Sequence, residues 1–269
     1  MKRTARVSFI IQTLNETPNK LYSLSYFSKK LKVAKSSISE DISVAKEVVA
    51  TLETGSIETI SGPLGGVIFK PHISDSEVIA FQNEICNVLS NNNRFLGNGF
   101  IYTSDIMFNP NIAENFAKIF FRKFKEQNID YVATIETKGI PLAMMTAKLL
   151  NVPLIVVRRA SKISEGTAVS INYFSGTSNL IQKMTLAQKS IHGSGKAIII
   201  DDFMRGGGSI KGITELLSEF EIKVVGVGVA IVATTPKYKK INDFTPVLHM
   251  GNINEEKRTI ELFPNYQIF

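Results

Sequence analysis

The chain has 269 residues, of which 44% are hydrophobic, and a formal net charge of +7. This length predicts two domains, and the positive charge favours a polyanionic partner such as nucleic acid, a phosphorylated ligand or a membrane surface. A single cysteine, Cys86, excludes an internal disulfide framework, and no apolar run approaches the roughly 20 residues of a membrane helix, so we expect a cytoplasmic protein without a membrane segment.

Three helices are predicted in the N-terminal segment. Residues 4–15 form the first, because apolar side chains recur on one helical face before Pro18. Ser25 is expected to cap a second helix that ends at Leu31, and a capping box of sequence Ser-Ile-Ser-Glu at residues 37–40 to open a third. The short connection between the second and third helices predicts a helix-turn-helix.

A β-hairpin is predicted at residues 56–69, where it would form the wing of a winged-helix domain. Residues 1–73 hold ten basic and six acidic side chains, a net charge of +4 that suits DNA. Six cations are predicted to contact phosphates: Lys2, Arg3, Arg6, Lys30, Lys32 and Lys35. Three hydroxyls at the start of the third helix are candidates for base contacts: Ser36, Ser37 and Ser39. Winged helices also bind proteins, and this alternative stays open.

Strands and helices alternate in the remainder of the chain, residues 74–269, which predicts an open, mainly parallel α/β sheet with helices on both faces. Strands are predicted at residues 131–135, 154–157, 197–200 and 224–232, and helices at 75–91, 112–124, 141–150 and 209–220. A hairpin is predicted to pair residues 168–174 with 184–186. Gly226 and Gly228 are expected to allow close packing inside their strand. From Thr235 onward no element is predicted.

The stretch KAIIIDDFMRGGGSIK, residues 196–211, combines a buried strand, two carboxylates, a glycine loop and the start of a helix. Glycine backbone N–H groups and a helix N-terminus form a cradle for phosphate, and carboxylates accept from vicinal hydroxyls or bind hydrated Mg²⁺. The stretch has neither the ending of a P-loop nor the Rossmann glycine spacing. It predicts a ribose 5-phosphate site, the alternative being a tight turn capped by Ser209.

The residues IIIDDFMRGGGS resemble the phosphoribosyl pyrophosphate (PRPP) signature of type I phosphoribosyltransferases. Together with the N-terminal segment, the chain resembles the purine operon repressors of Gram-positive bacteria over essentially its whole length. One position departs from the signature, since Gly206 replaces a hydroxyl residue. The resemblance implies a homodimer that binds double-stranded operator DNA and is released by PRPP. Mg²⁺ is a candidate companion of PRPP, and no redox cofactor is implied.

The resemblance also implies which residues contact PRPP. The central signature supplies Asp201, Asp202, Phe203, Met204, Arg205, Gly206, Gly207, Gly208 and Ser209. A pyrophosphate loop supplies Thr137, Lys138 and Gly139, for which a cation, close backbone approach and the next helix N-terminus provide an independent physical argument. Further candidates are Arg158, Arg159 and Lys162 in a flexible loop, and Tyr102 in an aromatic-x-x-Asp-Ile segment. Two alternatives remain. Tyr102 is then an ordinary strand residue, and Arg158, Arg159 and Lys162 form a solvated edge of the sheet.

Two functions compete at this stage. The first is a transcriptional repressor of purine biosynthesis genes that senses PRPP without catalysis, and so has no catalytic residue. The second is an active purine phosphoribosyltransferase with a regulatory DNA-binding domain. A binder of guanosine tetraphosphate is also compatible with the same residues. The histidines and Cys86 show no spacing typical of a protein metal site or a nucleophile.

Overall fold

The computed structural model describes residues 1–97, 100–160, 164, 166–174 and 181–269. The chain divides into two compact units. The first unit contains Met1–Ser74 and Lys148–Asn151, and the second contains Asp75–Ala147 and Val152–Phe269. Within the described ranges, no helix is both long enough and apolar enough to span a membrane.

The first unit is a winged helix, as the sequence predicted. Its elements are α1 (Arg3–Glu16), α2 (Leu24–Leu31), α3 (Lys35–Thr51) and the antiparallel hairpin of β1 (Gly55–Ile60) and β2 (Gly66–Pro71). The fully buried side chains of Ile10, Phe27, Ile38 and Val67 come from all three helices and from the hairpin. The hairpin therefore belongs to the core of this unit.

Both predicted helix caps are wrong. Ser23, not Ser25, caps α2, and its Oγ accepts a hydrogen bond of 3.2 Å from the Tyr26 N–H. Lys32 adopts a left-handed conformation (φ 55°) that ends α2, and Ala34 is already the N-cap of α3. Because α3 starts so soon after α2, residues 37–40 lie inside the helix and cannot form a capping box.

The hairpin is fixed near its turn by the segment between α1 and α2. The backbone of Tyr22 exchanges two hydrogen bonds with Val67, of 2.9 and 2.8 Å. Gly66 permits this approach, because a Cβ there would lie 2.2 Å from the Tyr22 carbonyl oxygen. The segment between α1 and α2 therefore pairs with β2 as a short third strand would.

The second unit contains the remaining helices and strands, except residues 148–150 at the end of one helix, which belong to the first unit. They are α4 (Asp75–Leu89), β3 (Phe95–Gly97), β4 (Phe100–Ile101), α5 (Ser104–Met107), α6 (Pro110–Phe124), β5 (Tyr131–Ile135), α7 (Ile140–Leu150), β6 (Leu154–Val157), β7 (Ala168–Phe174), β8 (Ile181–Ala187), β9 (Gly195–Met204), α8 (Gly208–Ser218), β10 (Ile222–Ala233), β11 (Thr245–Asn254) and β12 (Thr259–Pro264). Six of the described strands form a sheet of order β12-β11-β10-β9-β5-β6. Neighbouring strands in this sheet are parallel, except for the antiparallel pair of β11 and β12. This confirms the predicted open, mainly parallel sheet. The predicted hairpin is also present, as β7 and β8.

The sheet differs from the sequence prediction in two places. Strand β9 continues to Met204, so Asp201 and Asp202 lie within the strand, with Asp201 opposite Val229 of β10. Strands β11 and β12 occupy the region where no element was predicted. Gly226 and Gly228 have the expected packing role, because a Cβ at each would lie 2.6 Å from a ring atom of Phe124 or Phe120.

The topology places a crevice at the centre of the sheet. From β5 the chain crosses through α7 to β6 on one side, whereas from β9 it crosses through α8 to β10 on the other. The loops that follow these two neighbouring strands therefore diverge and leave space above their carboxyl ends. The Glu136–Gly139 turn and the glycine loop border this space.

Candidate functional site

Two adjacent carboxylates lie at the end of β9. Asp201 is 5% exposed, and its Oδ1 accepts a hydrogen bond of 3.0 Å from the Asp202 N–H. Burial, followed by the charge of Asp202, raises the pKa of Asp201 well above its usual value. Burial also raises the pKa of Asp202, although its hydrogen bond with Asp201 and the charge of Lys138 oppose this shift. The pair therefore retains a proton at pH values where free aspartates are ionised.

We expect Asp201→Asn to stabilise the protein without ligand. The raised pKa means that Asp201 contributes fully to stability below its unfolded pKa, near 3.8, and loses this contribution as pH rises through the folded pKa. Asparagine keeps the Oδ1 acceptor for Asp202 and cannot ionise. The gain in the free energy of unfolding should be smallest below the unfolded pKa and grow as pH rises through the folded pKa. Urea unfolding across this range measures it, and a gain that shrinks as pH rises would contradict the assignment.

Two neighbouring cavities open beside the carboxylates. The larger, with a volume of about 590 Å³, is mostly polar, and its lining includes Glu136, Thr137, Lys138, Arg159, Gln182, Asp201, Asp202 and Ser209. The smaller, of about 190 Å³, is mostly apolar, and its lining includes Ile101, Met107, Arg205, Ile231 and Met250. Phe100, Lys138, Asp202 and Phe203 line both. The site can therefore hold a charged group and an apolar ring side by side.

Glu136 joins the loop after β5 to the basic turn after β6. Its Oε2 accepts from the Arg158 guanidinium at 3.2 Å, and its Oε1 accepts from the Arg159 N–H at 2.8 Å. Arg159 lines the larger cavity. The Arg158 guanidinium forms an ion pair with Glu136, and Arg158 lines neither cavity. The sequence analysis missed Glu136, although its position directly before Thr137 and Lys138 was a signal.

The two other predicted residues of this loop differ in their surroundings. Lys138 lies between the two cavities and donates to the Thr103 hydroxyl at 3.3 Å. At Gly139, a Cβ would lie 2.5 Å from Thr134 Oγ1 and 2.9 Å from Asp201 Oδ1. Gly139 therefore allows the loop to pack against Thr134 and Asp201, and its predicted backbone contact with the ligand stays a prediction.

The glycine loop presents Arg205 to the smaller cavity and Ser209 to the larger. Gly206, Gly207 and Gly208 are buried, and Gly207 has a φ of 77°, a conformation that favours glycine. Met204 was predicted to contact the ligand, but it is 2% exposed and packs in the hydrophobic core. It lines neither of the two cavities.

Within the predicted aromatic-x-x-Asp-Ile segment and the two residues before it, Phe100 lines both cavities and Tyr102 lines neither. The Tyr102 carbonyl oxygen accepts from Arg94, which also binds both carboxylate oxygens of Asp105 at 2.7 and 2.8 Å. The predicted contact of Tyr102 with the ligand therefore stays a prediction, and Phe100 two residues earlier lines the cavities. Lys162 lies outside the described residues, as do residues 175–180, which connect the two strands of the predicted hairpin.

Arg6 in the first unit is half-buried and pairs with a buried carboxylate. Its Nε lies 2.6 Å and its Nη2 3.1 Å from the two carboxylate oxygens of Asp41, which is fully buried on α3. This hydrogen bonding raises the pKa of Arg6. Arg3 approaches the same carboxylate at 3.3 Å. The structure therefore corrects the prediction for Arg6, because this guanidinium ties α1 to α3.

The other DNA-contact candidates lie at the surface of the first unit. Lys2, Arg3, Lys30, Lys32, Lys35, Ser36 and Ser39 are exposed, and Ser37 is half-buried. Elsewhere, Cys86 is buried, and burial raises its pKa to about 11, which does not suit a nucleophile. Among the described residues, no three His, Cys, Asp or Glu side chains form a group that could hold a metal ion.

Comparisons with known proteins match both units. Residues 2–71 match the family described as "Bacterial purine repressor, N-terminal", and residues 103–256 match the phosphoribosyl transferase domain. The purine biosynthesis transcriptional repressor PurR of Bacillus subtilis is 38% identical over 261 residues, 97% of this chain and 92% of that protein. The purine biosynthesis transcriptional activator PurR of Lactococcus lactis (strain IL1403) is 37% identical over 262 residues, 97% of each chain.

A solved structure supports the fold of the second unit. Adenine phosphoribosyltransferase of Saccharomyces cerevisiae superposes with a TM-score of 0.53 at 21% identity, covering 62% of this chain and 98% of that one.

Proposed function

Because the chain belongs to the PurR family of bacterial purine repressors, we propose that it represses purine biosynthesis genes by binding operator DNA through its winged helix. The exposed cations and serines at the start of α1, the end of α2 and the start of α3 are suited to phosphates and base edges. A homodimer, which would match a two-fold symmetric operator, and a location in the cytoplasm are part of this proposal. The Lactococcus relative is named an activator, so whether this protein represses or activates these genes has to be tested.

We propose PRPP as the effector that releases the DNA. The observation that carries this proposal is the convergence on one cavity of the Asp201 and Asp202 carboxylates, two cations, and Ser209 directly after the glycine loop. Asp201 and Asp202 suit the ribose hydroxyls, the loop and the N-terminus of α8 suit the 5-phosphate, and Lys138 and Arg159 suit the pyrophosphate. Magnesium bound to the pyrophosphate would supply further positive charge, and carboxylate oxygens are ligands that it accepts.

Release requires that PRPP bind the DNA-free protein more tightly than the DNA-bound protein, and DNA must then weaken PRPP by the same factor. The test is a titration of PRPP with Mg²⁺ into the protein bound to labelled purine promoter DNA, together with PRPP binding measured with and without that DNA. We expect release, and a matching loss of PRPP affinity on DNA. Equal PRPP affinity in both states would refute the sensor function, and higher promoter output with the protein present would identify an activator.

The smaller cavity favours a second candidate, an active purine phosphoribosyltransferase. Its apolar lining of Phe100, Ile101 and Met107 beside Asp202 and Arg205 suits a planar base. Incubation of the protein with PRPP and adenine, guanine, hypoxanthine or xanthine would then yield the nucleotide and pyrophosphate. A turnover that persists in the Asp201→Ala, Asp202→Ala double variant would indicate a contaminating enzyme and reject this candidate.

A further inference from the structure

A segment that the sequence left unassigned packs against the glycine loop. We call residues 237–241 the strap. The Lys239 ammonium donates to the Arg205 carbonyl at 2.5 Å and to the Ala233 carbonyl at 2.6 Å. The Lys240 N–H donates to the Gly206 carbonyl at 2.8 Å, and Ile241 lies beside Gly207. The strap therefore holds the loop through two successive carbonyl groups.

These contacts set the direction of the loop's peptide groups. The Gly207 carbonyl accepts from the Lys211 N–H of α8 at 3.0 Å, so three consecutive carbonyls, from Arg205 to Gly207, are engaged by donors of the protein. In a trans peptide, the C=O and the following N–H point in opposite directions. The N–H groups of residues 206–208 thus point away from these donors. An anion is attracted by such N–H groups and repelled by carbonyl oxygens.

Lys239 is suited to this role by its surroundings. Its side chain is half-buried, and burial, followed by the charge of Arg205, lowers its pKa. A hydrogen bond from a charged donor is stronger than a neutral one, particularly where water is partly excluded. Lys237 belongs to the same strap but is exposed. The two lysines therefore offer a matched comparison.

We propose that Lys239 is a positioning residue for the phosphate loop, holding the Arg205 carbonyl so that the following N–H groups face the 5-phosphate of the ligand. This inference rests on the proposed function, in which the loop binds that phosphate. Lys239 would not touch the ligand itself, and the pyrophosphate group lies in the part of the cavity formed by Lys138 and Arg159. Loss of the Lys239 ammonium should therefore weaken binding of one end of PRPP only.

The experiment measures binding of PRPP, ribose 5-phosphate and pyrophosphate to the full chain by calorimetry, in the unaltered protein, Lys239→Met and Lys237→Met. For Lys239→Met we expect about tenfold weaker binding of PRPP and ribose 5-phosphate, the effect of one charge-assisted hydrogen bond, and unchanged pyrophosphate binding. Lys237→Met should behave as the unaltered protein. DNA affinity without effector should be the same in all three.

A chemical rescue provides a second arm. Alkylation of Lys239→Cys with 2-bromoethylamine restores an ammonium at nearly the same reach, and Cys86 should not react because burial raises its pKa to about 11. Ribose 5-phosphate affinity should recover only after alkylation, and this comparison also applies if Lys239→Met does not fold. Equal affinities in Lys239→Met and the unaltered protein, or equal weakening of ribose 5-phosphate and pyrophosphate, would overturn the inference. Failure of the unaltered protein to bind PRPP would instead refute the proposed function.

Discussion

Replacing both Asp201 and Asp202 by alanine should leave the protein bound to operator DNA at PRPP concentrations that release the unaltered protein. The two carboxylates are the acceptors at the end of β9 that line the larger cavity. Two hydrogen bonds to charged groups are worth about 3 kcal/mol or more together, so PRPP affinity should fall at least a hundredfold. Fluorescence anisotropy of labelled promoter DNA during a PRPP titration measures the change.

The matched control is Asp243→Ala, which removes an exposed carboxylate from the same unit. This variant should release DNA at the PRPP concentration of the unaltered protein. DNA affinity without PRPP should be equal in all three proteins, because the substitutions lie outside the winged helix. A double variant that is still released at the original concentration would exclude the acidic pair as the PRPP site.

The second large effect is expected at Arg6. Arg6→Ala leaves the buried Asp41 carboxylate with Arg3 alone, at 3.3 Å, and an uncompensated buried charge strongly destabilises a fold. We expect amide hydrogen exchange in α1 and α3 to accelerate by about tenfold or more. Exchange in β5 and β9 should not change. Mass spectrometry of exchanged peptides from the full chain measures both.

Two further variants distinguish a structural ion pair from a DNA contact. Lys2→Ala removes an exposed cation from the same end of the chain, and it should weaken DNA binding without changing exchange. Arg6→Lys should restore little protection, because an ammonium cannot make the two-point contact of a guanidinium with the Asp41 carboxylate. Normal protection in Arg6→Ala would return this residue to the set of phosphate contacts.

The acidic pair illustrates how function and stability oppose each other in this fold. Asp201 is nearly fully buried beside a second carboxylate, and both features disfavour its charged form. The substitution that should stabilise the unliganded protein, Asp201→Asn, also removes an ionisable acceptor for the proposed ligand. A buried acid at the end of a parallel strand is therefore more readily explained by binding than by folding.

Local patterns in the sequence determined the elements and the main position of the site. The apolar periodicity of α1, the β-branched run of β9 and the acid–glycine order after it depend on neighbouring residues alone, so the winged helix, the parallel sheet and the position of the phosphate loop could be predicted. The resemblance carried by residues 198–209 then suggested a candidate ligand for this site. No comparable local pattern exists after Thr235, and β11 and β12 were missed.

Tertiary structure alone decided which side chains meet. Arg6 is separated from Asp41 by 35 residues and Lys239 from Arg205 by 34, so no local pattern could indicate that the first is an internal ion pair and the second a support for the loop. Phe100 lines the cavities and Tyr102 does not, because cavity lining depends on which residues distant in the chain pack nearby and not on the local motif. Sequence periodicity specifies faces of single elements, whereas burial and pairing depend on how distant elements pack together, and this is where the sequence predictions failed.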